Sequence, residues 1–313
     1  MRRVLLALCL FGLTPALLWA TADTTPTVEP ANEDDVRVQL KSSGSGTPTE
    51  VRYRFHAQDN RDLHVEMRLS QRSTYGALET GWRVFPTLRI HFKIKVYPPT
   101  ANGQAKVEFT VKNAEVIRVK GPMVPAMTMA ALKADALTLK GLVLTATVSA
   151  QGLVSNSTVK PAGKTRGDLV EDLQATIQQL VVPLPREPIA PGARWTVHSS
   201  QAFNGLTVRT QTTYMLESIK KERQGYRAKA TVRVKQRSRP VHIKPKEKGT
   251  VRLSFQSYQA KGQGRVQFEL FSPLAQTNFD IKSKSLAVGT SKYMRQNVRL
   301  DYHLRTKTWS KKK

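Results

Sequence analysis

LRIHFKIKV, residues 88–96, sets Leu88, Ile90, Phe92, Ile94 and Val96 against Arg89, His91, Lys93 and Lys95 in strict alternation. Successive side chains on a strand point to opposite faces, so the spacing predicts a strand with one apolar and one basic, wetted face. Pro98-Pro99 ends it. On its N-terminal side Val65, Met67 and Leu69 repeat the period, and Val51, Tyr53 and Phe55 do so before them. On its C-terminal side the turn at Asn102-Gly103 leads to Ala105, Val107, Phe109 and Val111.

Further on, 142–150 and 153–160 flank Gln151-Gly152 and read as a hairpin. The second half repeats the character over 206–219, 226–235, 251–258, 265–271, 278–283 and 297–304. Two stretches break the period. Ala, Met and Leu in 125–140 predict a short helix over about 129–137. In Thr165–Val197, Leu169, Leu173, Ile177 and Leu180 recur at helical spacing behind Thr165 and Asp168, which predicts a helix over 167–180. Pro183 and Pro185 stop it, and Pro191-Gly192 leads into a strand carrying Trp195 and Val197.

The expected fold is therefore mainly β, an antiparallel curved sheet or two related sheets, with one or two covering helices at about 129–137 and 167–180. The expected organisation is a signal peptide (1–22), a flexible linker (23–49) holding at most a short strand at 36–40, and a first β half (50–164). A helix and Pro-rich joint (165–192), a second β half (193–305) and a basic tail (306–313) follow. The signal is read from Arg2-Arg3, the apolar run 4–18 and the small residues Ala20-Thr21-Ala22; it implies export to the periplasm or outer envelope of a bacterium. No transmembrane segment is expected after cleavage. An outer-membrane barrel is the architectural rival, disfavoured by the dense positive charge on the polar phase of the strands.

With 313 residues, 40% of them hydrophobic, the chain can bury a substantial core. Its net charge of +27 points to anionic partners. The single cysteine, Cys9, falls within the signal, so the exported chain would hold no disulfide, thiol nucleophile or Cys-bound metal. The six histidines lie apart, mostly on the polar phase of strands, and no zinc-ligand spacing, phosphate-binding loop or nucleophile motif occurs. No catalytic residue, cofactor site or metal site is assigned, and an unrecognised hydrolase is the least supported class. Two surfaces remain as candidates. One is a basic docking face of Arg89, Lys93, Lys95, Arg233, Lys235, Arg237, Arg239 and Lys244. The other is an apolar cleft beneath the second helix, under Leu169, Leu173, Ile177 and Leu180. The first suits an anionic envelope polymer or membrane surface, and the second a lipid or other amphiphile. Nucleic acid is disfavoured, because no aromatic stacking platform accompanies the charges.

A helix followed by Leu184, Pro185, Pro188, Gly192 and Trp195 resembles a family of exported bacterial β-rich proteins of unknown function, which implies no catalytic residues. At the level of fold alone, the pattern also resembles the periplasmic lipoprotein-carrier half-barrels, which hold acyl chains between a curved sheet and its helices. That likeness implies a non-catalytic module that binds a lipid or other amphiphile.

Overall fold

The computed structural model describes residues 36–56, 60–119, 126–160, 180–203, 206–223, 225–239, 252–290 and 295–312. The strands are β1 (Arg37–Ser42), β2 (Asn60–Tyr75), β3 (Leu78–Glu79), β4 (Arg83–Val84), β5 (Thr87–Val96), β6 (Ala105–Ile117), β7 (Val143–Val148) and β8 (Val154–Lys160). They continue with β9 (Arg194–Phe203), β10 (Leu206–Glu222), β11 (Gly225–Ser238), β12 (Arg252–Glu269), β13 (Ala275–Thr290) and β14 (Arg295–Lys312). One helix, α1 (Ala126–Thr138), is described. All the strands form a single antiparallel sheet in the order β1-β9-β10-β11-β12-β13-β14-β2-β5-β6-β7-β8, with β3 and β4 paired to β2. The two β halves thus share one sheet, joined where β14 pairs along the length of β2.

This sheet is curled, and the hydrogen bonds of one short segment show it. Thr49 exchanges backbone bonds with Ile189, just before β9, while the Tyr53 amide donates to the Ala150 carbonyl in the β7–β8 turn. Four residues reach at most about 14 Å. In a flat sheet β9 and β7 would lie more than about 40 Å apart. The two sides therefore bend toward each other, and the segment closes one end of the trough between them. A Cβ on Gly264 would come within 2.4 Å of Phe279 Cδ1 and of the Asn278 carbonyl, so only glycine lets that ring lie over the β12 backbone.

Alternating burial makes the inner face one continuous core. Leu63, Ile90, Ile94, Phe109 and Leu144 are all completely buried. Leu132, Ala136 and Leu139 seat α1 on this core, whereas Leu137 points to solvent. No described helix is long and apolar enough to cross a membrane.

The structure departs from the sequence expectations in three places. Val51, Tyr53 and Phe55 are buried in alternation as expected, yet Val51–Phe55 belongs to no strand; it is the extended plug across the trough. The stretch expected as linker contains β1, which reaches Ser42 and pairs with β9, and the fold is in place by residue 36. The basic tail is the end of β14: Thr308 is buried, accepts from the Thr277 amide at 2.8 Å and donates to the Ala275 carbonyl at 2.9 Å. The signal peptide and nearly all of the helix expected at 167–180 lie outside the described residues.

Candidate functional site

Residues paired across antiparallel strands project from the same face about 5 Å apart, so register reads directly as a map of the outer surface. Four successive rungs cross β11, β12, β13 and β14: Arg237–Gln259–Lys284–Asp301, Lys235–Lys261–Lys282–His303, Arg233–Gln263–Asp280–Arg305 and Thr231–Arg265–Asn278–Lys307. Nine of these residues are Lys or Arg and two are carboxylates. Both carboxylates are occupied. Asp280 accepts from His303 at 2.8 Å and from Arg305 at 3.3 Å; burial opposes its ionisation, but these two contacts outweigh it and hold its carboxyl below the usual value. Asp301 is 3.1 Å from Arg72 and 3.2 Å from Arg299. Among the described residues, Lys235, Lys261, Lys282 and Lys284 are all exposed and none has a carboxylate within ion-pair distance.

This arrangement revises the expected basic face. Arg233, Lys235 and Arg237 share the outer surface with Arg89, Lys93 and Lys95, but β12, β13, β14 and β2 lie between the two sets. The cations that fill this interval, Lys261, Arg265, Lys282, Lys284, Arg305 and Lys307, escaped sequence reasoning because only register brings them beside β11. Arg89 is not available for docking. Glu66 and Glu115 flank it at 2.5 and 3.0 Å and raise the pKa of its guanidinium. Lys93 faces Asp62 and Lys95 faces Glu108 across the sheet, so acids stand opposite both lysines on this side of the face. Arg239 is exposed just past β11, and Lys244 lies outside the described residues.

Beside the Arg89 pairs, Trp309, His64 and His91 occupy one rung across β14, β2 and β5. Their rings stack, with centroids 5.2 Å apart for His64–Trp309 and 4.5 Å for His64–His91. His91 Nε2 is 3.2 Å from Asp62 Oδ1. Together with Arg89, Asn113 and Glu115 the three rings line a surface groove of about 340 Å³. Two of the six histidines read from sequence as scattered, His64 and His91, thus form a ladder with a tryptophan. Among the described residues no group of three or more His, Cys, Asp or Glu side chains could hold a metal ion.

Leu169, Leu173 and Ile177 of the expected apolar cleft lie outside the described residues; Leu180 is buried, followed by buried Val181, Val182 and Leu184. This segment is tied in by polar contacts: the Trp195 indole donates to the Pro183 carbonyl at 2.8 Å, and the Tyr53 hydroxyl donates to the Val182 carbonyl at 3.2 Å. Arg52 also donates to the carbonyls of Pro185 and Arg186. Away from the plug the inner face turns polar, with Gln236, Tyr258, Ser283, Ser285 and Tyr302 all buried. The Tyr258 hydroxyl donates to Gln236 at 3.1 Å, and the Tyr302 hydroxyl lies against that of Ser285. Burial pushes the Tyr258 and Tyr302 hydroxyls well above their ordinary pKa, so both stay neutral donors at physiological pH. Compared with known proteins, the chain matches no protein-family model and no curated protein.

Proposed function

We propose that the protein is a non-catalytic docking module of the bacterial cell envelope whose basic outer sheet face binds an anionic polymer. The observation that carries this is the Lys235–Lys261–Lys282 rung, three exposed lysines on adjacent strands with every nearby carboxylate engaged elsewhere. Like charges directly opposite on neighbouring strands are destabilising. A polyanion laid across them converts that repulsion into binding energy, and the row matches an extended chain better than a compact ligand.

The test uses dextran sulfate as the anionic probe and neutral dextran as control. Affinity for dextran sulfate should fall steeply between low and high salt, because exposed charges are screened over roughly 10 Å at 0.1 M and 3 Å at 1 M. The triple variant Lys235→Gln, Lys261→Gln, Lys282→Gln should lose about tenfold or more in affinity at low salt. Salt-independent binding, or a triple variant that binds like the parent, would sink the proposal.

The inner face supports a second reading, a holder of a lipid or other amphiphile. It rests on the buried hydroxyl cluster of Tyr258, Ser283, Ser285 and Tyr302, neutral groups suited to an uncharged polar head group. Native mass spectrometry of protein taken from membranes should then show co-purifying lipid; a clean ligand-free mass would count against it.

A further inference from the structure

Five large apolar side chains are left exposed among the described residues, and four of them, Tyr75, Leu78, Trp82 and Leu286, gather at one end of the sheet, away from the plug. Leu78 is 69% exposed and Trp82 43%. Tyr75 pairs with Leu78 across the tight turn at Gly76. Its position along β2 continues the inward series Leu69 and Ser73, so Tyr75 and Leu78 belong to the inner side of the rim. Trp82 lies on the other side, with the outward-facing Arg72 guanidinium 5.3 Å from its ring centroid. Leu286 shares that outer side, in one rung with Arg299 and Thr74.

A hairpin end that is apolar on one side is explained by the core it continues. One that is apolar on both sides is not, because the sheet can cover only its inner surface. Arginines frame the patch: Arg83 and Arg299 stand beside it, whereas Arg72 is taken up by two carboxylates. The local acids, Glu79 and Asp301, are both bound to Arg72. Tryptophan and tyrosine favour the head-group layer of a bilayer, leucine favours the acyl boundary below it, and arginine pairs with phosphate. A handful of side chains at a hairpin end is also far short of the ~800 Å² per partner that a stable protein interface buries.

We infer that the β2–β3 hairpin, with Trp82 and Leu286 beside it, is a membrane-contact tip that seats in the interfacial layer of an anionic phospholipid bilayer. The tip is separate from the lysine rungs and stands without them.

Vesicles of mixed phosphatidylglycerol and phosphatidylcholine test it, with brominated acyl chains as quenchers. Wild-type protein should sediment with them and lose part of its tryptophan emission. In a Trp19→Phe background, Trp82→Phe should sediment almost equally while losing most of that quenching, since Trp195 is buried and Trp309 lies on the opposite part of β14. The double variant Leu78→Asp, Trp82→Ser should sediment roughly tenfold less, with its affinity for dextran sulfate unchanged. Failure to sediment, quenching that survives in Trp82→Phe, or a double variant that sediments like wild type would overturn the inference. The dextran sulfate arm separates such a failure from a failure of polymer docking.

Discussion

At one end of the curled sheet Tyr53, Val182 and Trp195 lock the plug to the segment that leads into β9, while at the other Leu78 and Trp82 stand in solvent. Both ends are built from strands of the same amphipathic kind. What separates them is whether a non-local segment arrives to cover the strand ends. At the plugged end it does, and the packing leaves little room: a Cβ on Gly152, whose φ is +77°, would come within 2.5 Å of the Val182 carbonyl and 2.7 Å of the Tyr53 ring. Trp195 there is fully buried, stacks on Tyr214 at 5.1 Å and donates to Pro183. At the hairpin end nothing among the described residues covers the tip, so its apolar side chains contribute little to folding and remain open to a partner.

The sharpest way to break this contrast is to truncate a tryptophan at each end. Trp195→Ala should cost about 4 kcal/mol, from lost transfer energy, a residual cavity and a stranded carbonyl. Trp82→Ala should stay within about 0.5 kcal/mol of wild type. Urea unfolding measures both, and equal costs would show that the ends do not differ in the way described.

A second variant sharpens the account of the plugged end. Glu269 bonds Arg61 at 2.5 Å and Arg227 at 2.7 Å, with only 6% of Arg61 and 12% of Glu269 exposed. Burial works against its ionisation, yet the two guanidinium groups win and hold its carboxyl below the usual value of 4.5. A depressed folded pKa means the native state binds the proton more weakly than the unfolded chain does. The stabilisation is therefore present above the ordinary carboxylate value and is lost as the pH falls through the lower, folded value. Glu269→Gln should cost about 2 kcal/mol at neutral pH, less than a fully desolvated pair, because it removes the carboxylate shared by Arg61 and Arg227. Its stability should also decline less than wild type's on acidification, which a series of urea midpoints from neutral to acidic pH checks.

The smallest expected effect lies on the outer face, midway between the ends. Lys261→Gln removes the middle charge of the Lys235–Lys261–Lys282 rung and should stabilise the protein by about 0.3 kcal/mol at low salt. The gain should vanish at 1 M salt, where screening has already removed the repulsion. A loss of stability on this substitution would mean that Lys261 has a compensating partner.

Much of the fold was legible in the chain because alternation is local. Leu88–Val96 reads as a strand by the period of its own side chains, and β5 covers Thr87–Val96. The helix expected over 129–137 falls within α1. Misreadings arose where the buried phase of a strand is not apolar. In β14 Thr308 faces inward and satisfies its hydroxyl on Ala275 and Thr277, so lysines alternating with hydroxyl residues looked like a solvated tail. β1 hid in linker-like composition because it is a half-exposed margin held by pairing to β9. Of the expected docking residues, Arg233, Lys235 and Arg237 lie within the lysine-rich rungs, whereas Arg89 is neutralised by Glu66 and Glu115 from the adjoining strands.

By itself the amino-acid sequence determined that this protein is an antiparallel β structure with an apolar and a basic side, since side-chain period and charge are properties of each strand alone. The tertiary structure decided that all strands join one sheet, that β14 lies against β2, and that the sheet curls around Val51–Phe55. It also decided which cations stay uncompensated and which end stays open. Those outcomes depend on register and on contacts between residues far apart in the chain, and amphipathic strands can satisfy their local preferences in many alternative pairings.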